Sequence, residues 1–176
     1  KSLAMSYLVG EKGKVWSSDI NNSRVKMGRK DLKRHNRKNI IWSVKDASKD
    51  TFPIADKILV DAPCSGLGVL RRKPDIRWRR KEKEINFYSK LQLKILCHMS
   101  NFLKPGGIIV YGSCSTDKKE NFNVVQHFLK INKDFKLDKI PYTIDSEFID
   151  ENSCFSTINA IEKLDGMFAA RLKKND

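Results

Sequence analysis

Two cysteines stand directly after apolar, β-favouring runs: Cys64 in "KILVDAPCSG" and Cys114 in "GGIIVYGSCST". A thiol at a strand end can serve as a nucleophile, a metal ligand or half of a disulfide. Three acids hold comparable places: Asp19 closes "GKVWSSD", Asp46 follows "NIIWSVK" and Asp61 follows "KILV". In parallel α/β sheets ligands sit outside the carboxyl ends of the strands, so polar or reactive residues at successive strand ends form a candidate site. Taken singly, each has a plainer reading. An Asp after a strand commonly caps a helix or forms a turn, and a lone Cys in an α/β protein is commonly a small buried hydrophobe.

The cysteine spacing narrows the choice. Cys64, Cys97, Cys114 and Cys154 include no C-x-x-C pair, and no histidine stands at zinc-ligand spacing from them, so no metal is expected. Lys1 to Val9 is too short for a signal peptide and lacks a cleavage pattern, and no apolar run has the length of a membrane span. The expectation is a cytoplasmic protein with free thiols in reducing surroundings and no membrane partner. The 35 Lys+Arg against 21 Asp+Glu leave +14 on 176 residues, which points to a polyanionic partner, nucleic acid first. The bland alternative is a lysine-rich solvated surface.

The elements that must position these residues can be read from periodicity. At this length the chain is one domain, or the larger part of one. Lys1 to Val9 reads as a helix stopped by Gly10, with no N-cap before it. "GKVWSSD" is a strand, and "NNSRVKMGRKDLKRHNRK" a basic helix with a weak apolar face of Val25, Gly28 and Leu32. "NIIWSVKDAS" and "DKILVDAPCSG" are further strands, the latter without alternation and so expected to be covered on both faces. From Lys81 to Leu103 apolar residues recur at steps of three and four (Ile85, Tyr88, Leu91, Ile95, Met99, Phe102), the mark of a long amphipathic helix. "GIIVYGSC" is the fourth strand. In the helix "DKKENFNVVQHFLK", Asp117 and Glu120 have capping-box spacing. "DFKLDKI" is a fifth strand, residues 141 to 166 are polar and irregular, and "GMFAARLKK" is a last strand. Strands alternating with helices predict a parallel α/β sheet.

The stretches "LVDAPCSGLGVLRRKPDIRW", "VYGSCSTDKKEN" and "DGMFAARL" resemble three motifs of the S-adenosylmethionine-dependent RNA cytosine-C5 methyltransferases, the Sun/NOL1/NOP2 family, and among them the bacterial 16S ribosomal-RNA members. The resemblance runs with suitable spacing from Lys1 to Leu172. It implies a Rossmann-like methyltransferase sheet, mostly parallel with an antiparallel last strand, S-adenosylmethionine as cofactor and RNA as partner, acting as a monomer. It also implies roles. Asp19 would hold the cofactor ribose, Asp46 would stand beside the adenine, and Asp61 would lie between the methionine end and the target base. Lys1 would match the lysine that ends the family's glycine-rich cofactor loop. Cys114 would be the nucleophile that adds to C6 of cytosine, and Cys64 would serve product release, with Asp61 hydrogen-bonding the base. Because DNA cytosine-C5 methyltransferases attack with a Pro-Cys cysteine, the two thiols are the roles most open to exchange. Position 113 is Ser where the family has Thr, and Cys97 and Cys154 are expected to be structural.

By the same resemblance, the family's first strand and glycine-rich loop should precede Lys1, and an RNA-binding domain should precede those. The expectation is therefore a catalytic domain over residues 1–176 whose sheet lacks its first strand. The segment from Arg71 to Lys83 carries eight Lys or Arg residues around Trp78 and suits phosphate contacts while a base is flipped out. Trp78 itself reads as a packed hydrophobic anchor. The helix from Ser23 to Lys38 is a second basic contact or a solvated face. Ribosomal RNA is the expected substrate; transfer RNA, or a non-catalytic RNA-binding role, stays open.

Overall fold

The computed structural model describes residues 1–158 and 164–176. Its contacts group into two compact units, Lys1–Pro53 and Ile54–Asp176.

In the first unit, α1 (Ser2–Leu8) ends at Gly10, whose φ of +70° lies in the left-handed region that a glycine enters without strain. β1 (Val15–Asp19) and β2 (Ile40–Val44) form a parallel pair that aligns Asp19 with Val44. Between them runs α2 (Asn22–Arg34), whose N-cap Asn21 accepts the Ser23 N–H at 2.8 Å. Its apolar face is thin, as the sequence predicts: Val25 alone in it is buried, and Gly28 lets the helix lie on Trp42. A Cβ at Gly28 would fall 2.4 Å from that indole ring.

The second unit holds a sheet in the order β3 (Ala55–Asp61), β4 (Leu103–Ser113), β7 (Phe168–Lys174), β5 (Phe135–Leu137), with β6 (Phe155–Ser156) also on β7. β3 and β4 are parallel, and β7 opposes both β4 and β5. The antiparallel last strand is thus found where it was expected. α3 (Ile76–Arg79) is a single turn, α4 (Glu82–Ser100) is the long amphipathic helix, and α5 (Phe122–Ile131) follows β4. α4 turns Ile95, Leu96 and Met99 inward, and α5 contributes Val124, Val125 and Phe128. These meet Ile109, Tyr111, Phe135 and Leu172 of the strands in the core. Each large side chain fully buried there contributes roughly 1.5–3 kcal/mol.

β3 departs from its expected coverage. Val60 alone in it is buried, and Leu59 is 39% exposed. Among the described residues the strand pairs with β4 alone, and a continuous apolar run does not by itself guarantee packing on both faces.

Candidate active site

The two cysteines come together because β3 and β4 are adjacent and parallel. Their register aligns Val60 with Tyr111 and Asp61 with Gly112. Neighbouring strands lie about 4.8 Å apart, so the turns leaving their carboxyl ends start side by side. Cys64 comes three residues after Asp61 and Cys114 two after Gly112. Their Sγ atoms are 3.0 Å apart, in two half-buried free thiols. That is a hydrogen-bonding distance for S–H and sulfur, and well beyond a disulfide bond of about 2.05 Å. The contact with Cys114, then burial, pushes the Cys64 thiol far above the ordinary thiol range. Cys64 therefore keeps its proton.

A buried carboxylate fixes both turns. Glu120, fully buried, accepts the Ser65 N–H on Oε1 at 2.8 Å and the Gln92 side-chain amide at 3.0 Å. Its Oε2 accepts the Ser115 hydroxyl at 2.6 Å and also the Ser65 hydroxyl. Ser65 follows Cys64 and Ser115 follows Cys114, so one side chain holds the residue next to each thiol. Gln92 also donates to the Pro63 carbonyl at 2.9 Å. Asn121 adds a second tie: its Oδ1 accepts the Ser113 hydroxyl at 2.6 Å, and its Nδ2 donates to the Ser115 carbonyl at 2.9 Å. Buried Tyr111, its hydroxyl held in the neutral form chiefly by burial, donates to the Glu120 carbonyl at 2.5 Å.

This corrects the reading of Glu120 as half of a capping box. The Asp117 N–H, which such a Glu would accept, goes to the Ser115 hydroxyl at 3.1 Å. Asp117 caps a short 3-10 turn instead, accepting the Lys119 N–H at 2.8 Å, and α5 begins only at Phe122. The carboxylate is thus turned inward. Glu120, Ser65, Ser115 and Gln92 are the site residues that sequence reasoning missed. A signal existed for Gln92, a polar residue on the apolar stripe of α4, four after Tyr88 and three before Ile95.

Glycine closes the site. Gly68 donates its N–H to the Cys114 carbonyl at 2.9 Å and accepts the Gly166 N–H at 2.7 Å. A Cβ on Gly68 would fall 1.9 Å from the Gly166 carbonyl oxygen, so glycine alone permits this approach. Three sequence motifs, around Cys64, Cys114 and Gly166, are joined at that one residue. Arg80 reaches back from the basic segment and donates to the Ser65 carbonyl at 2.8 Å.

The remaining expected residues are placed as follows. Asp61 is the exposed last residue of β3. Asp19 and Asp46 stand at and just beyond the carboxyl ends of β1 and β2. Oδ1 of each accepts a main-chain N–H of its own turn, from Asn21 at 2.7 Å and Ser48 at 2.8 Å. Oδ2 of each takes part in a longer ion pair, with Arg24 at 3.3 Å and Lys49 at 3.8 Å. Lys1 is the N-cap residue of α1. Cys154 is buried in the β6 region, its thiol pushed up to about 12 by burial, and Cys97 lies on α4.

Trp78 is not the packed anchor the sequence suggests. It is 83% exposed on α3, with the Arg77 guanidinium 5.7 Å from its ring centre. The one-turn helix it sits on is too short to bring it back to the core.

The family model described as "16S rRNA methyltransferase RsmB/F" matches residues 1–173. The chain belongs to that family. Among its relatives is the probable ribosomal RNA small subunit methyltransferase B of Bacillus subtilis, 37% identical over 78% of this chain and 32% of that protein. The corresponding Synechocystis protein is 30% identical over 99% of this chain and 40% of its own length. The chain thus spans well under half the length of these relatives. Among solved structures, NSun6 from Pyrococcus horikoshii with SFG superposes with a TM-score of 0.86 at 29% identity, covering 99% of this chain and 44% of that one. The fold is accordingly the Rossmann-like methyltransferase fold. Relative to these RsmB/F-type proteins, the matched region includes every candidate residue from Lys1 to Cys114.

Proposed function

We propose that the protein methylates C5 of cytosine in small-subunit ribosomal RNA, using S-adenosylmethionine, through a covalent cysteine adduct at C6. The observation that carries this reading is the pair of thiols 3.0 Å apart at the ends of two adjacent parallel strands.

The residues of the first unit fit the cofactor's adenosine. Two carboxylates at neighbouring strand ends suit the place where doubly wound sheets bind nucleotides. Each accepts a main-chain N–H of its own turn on one oxygen and faces a basic side chain with the other, and because a carboxylate oxygen accepts more than one hydrogen bond, such a group suits ribose hydroxyls and an adenine amino group. Asp19 would take the ribose, Asp46 the adenine and Lys1 the methionine end. Bound S-adenosylmethionine supplies the methyl group.

The chemistry assigned to the chain's own residues follows from the thiols. C5 of cytosine is a weak nucleophile until a thiolate adds to C6 and makes C5 enamine-like. Two thiols in contact cannot both ionise. Cys64 is held in the thiol form by its contact with Cys114 and by burial; by the family resemblance Cys114 makes the attack, as the thiolate, while Cys64 donates to it. Asp61 hydrogen-bonds the base near N3 and its amino group. Once Cys114 is a neutral thioether, the contact that held the proton on Cys64 is gone and only burial opposes its ionisation. Cys64 can then lose its proton and take the one on C5. The C5–H electron pair re-forms the double bond and expels the Cys114 thiolate. The pair returns to its starting state with one proton released.

The basic segment supplies RNA contacts. Arg71, Lys73, Arg77, Arg79, Lys81 and Lys83 are exposed, whereas Arg72 pairs with Asp165 and Arg80 is tied to the Ser65 carbonyl and Glu84. Exposed cations around an exposed indole match a backbone-tracking surface with a stacking platform.

The test is methyl transfer from labelled S-adenosylmethionine to small-subunit ribosomal RNA by the full-length protein, with Cys114→Ala and Cys64→Ala beside wild type. Cys114→Ala is expected to lose methylation, and Cys64→Ala to accumulate a covalent protein–RNA adduct. Adduct on Cys114→Ala would exchange the roles. Failure of wild type to methylate, with RNA binding retained, would leave a binding protein.

A further inference from the structure

We propose that Glu120 is a positioning residue for both halves of the reaction, clamping the Cys64 and Cys114 turns through the hydroxyls of Ser65 and Ser115. This rests on the proposed roles of the two cysteines. Its basis is geometric. Burying a carboxylate is costly unless its oxygens are fully used, and here four neutral donors converge on it: a main-chain N–H, an amide and two hydroxyls. A helix cap would not need this, because the Asp117 N–H is already taken by Ser115. The two serine hydroxyls are 3.2 Å apart and share Oε2, so the turns cannot move independently. The shared oxygen also orients both protons: Ser115 Oγ donates to Glu120 and accepts from Asp117.

A glutamine at this position would keep the volume but not the acceptors. Its NH2 group would face either the Ser65 and Gln92 donors or the hydroxyl pair, and one set must rearrange. Displacement of a reacting group by about an ångström can cost on the order of a hundredfold in rate. The structural alternative, that Glu120 only stabilises the fold, predicts loss of folded protein with no change in the chemistry of what remains folded.

The test uses full-length Glu120→Gln, Ser65→Ala and Ser115→Ala. The readouts are methylation kinetics, the steady-state fraction of protein–RNA adduct, and alkylation of each thiol mapped by mass spectrometry without RNA or cofactor. Glu120→Gln is expected to lower kcat about a hundredfold with KM for RNA within about twofold, and to make Cys64 alkylate alongside Cys114 where wild type alkylates Cys114 first. Ser115→Ala should slow adduct formation, and Ser65→Ala should slow adduct resolution. Wild-type kcat and alkylation selectivity in folded Glu120→Gln would overturn the proposal. Should Glu120→Gln not fold, the two serine variants decide: equal effects on both steps, or none, would overturn it. Alkylation selectivity is read without catalysis, so its loss in Glu120→Gln stands even if Cys114→Ala still methylates, a result that would sink the cysteine roles alone.

Discussion

The turn at residues 61–68 and the basic segment at 71–83 are neighbours in sequence and opposites in construction. In the turn, Ser65, Gly66 and Ala62 are buried, and hydrogen bonds reach it from Glu120, Gln92, Arg80 and the Cys114 carbonyl. In the segment, Trp78 is 83% exposed, and α3 is one turn long. The first is fixed by the protein's own groups. The second presents cations and an aromatic face to whatever binds it. A site that must hold two sulfurs at a set distance needs many constraints, whereas a surface that follows a flexible polyanion needs few. Arg80 marks the border, since the same segment that offers seven exposed cations sends one back to hold the Ser65 carbonyl.

That contrast can be broken first at Glu120. Replacing it by alanine should destabilise the protein on the order of 3–5 kcal/mol, because several buried donors lose their acceptor at about 1–3 kcal/mol each; chemical denaturation measures it, and a loss below about 1 kcal/mol would mean water replaces the carboxylate. Gly68→Ala comes next. A Cβ 1.9 Å from the Gly166 carbonyl must push the turn at Gly68 away from the loop that precedes β7, at roughly 1–3 kcal/mol in melting or denaturation, with methylation reduced as the Cys114 carbonyl loses its partner.

On the segment the expected signature is reversed. Trp78→Ala should leave the melting temperature unchanged and weaken RNA binding by about 1–3 kcal/mol, the worth of one stacked base. Unaltered affinity would reduce Trp78 to a bystander, and a lower melting temperature would restore it as a packing residue. The smallest effect belongs to Asp138, a partly exposed partner of Arg171 at 2.6 Å. The Arg171 guanidinium holds the Asp138 carboxyl below its ordinary value. A depressed carboxyl stabilises above its unfolded value and loses that contribution as pH falls through the folded one. Asp138→Asn should therefore cost about 0.2–1 kcal/mol near neutral pH, and the difference from wild type should vanish as pH falls through the lowered folded value of Asp138.

Some of this was legible in the residues themselves. Strand and helix periods, the antiparallel last strand implied by the family motifs, and Cys64 and Cys114 at strand ends all follow from local pattern and short-range motif. Periodicity also located α4, because a stripe of Ile85, Tyr88, Leu91, Ile95 and Met99 must face a core, and Ile95 and Met99 are buried there. Where local rules had two outcomes, they chose the wrong one. Capping-box spacing made Glu120 a helix cap, and an indole between arginines looked like an anchor.

What the chain alone determined is the chemistry on offer: two thiols, three acids at strand ends and a surplus of positive charge. Only the tertiary structure decided which groups meet. That β3 and β4 are neighbours is a property of the sheet order, and it brings together sulfurs fifty residues apart. Burial then gives those contacts their meaning. A carboxylate taken from water must find its donors wherever the fold supplies them, and for Glu120 those beyond nearby Ser115 lie in the turn after β3 and on α4, neither of which local sequence around it could name.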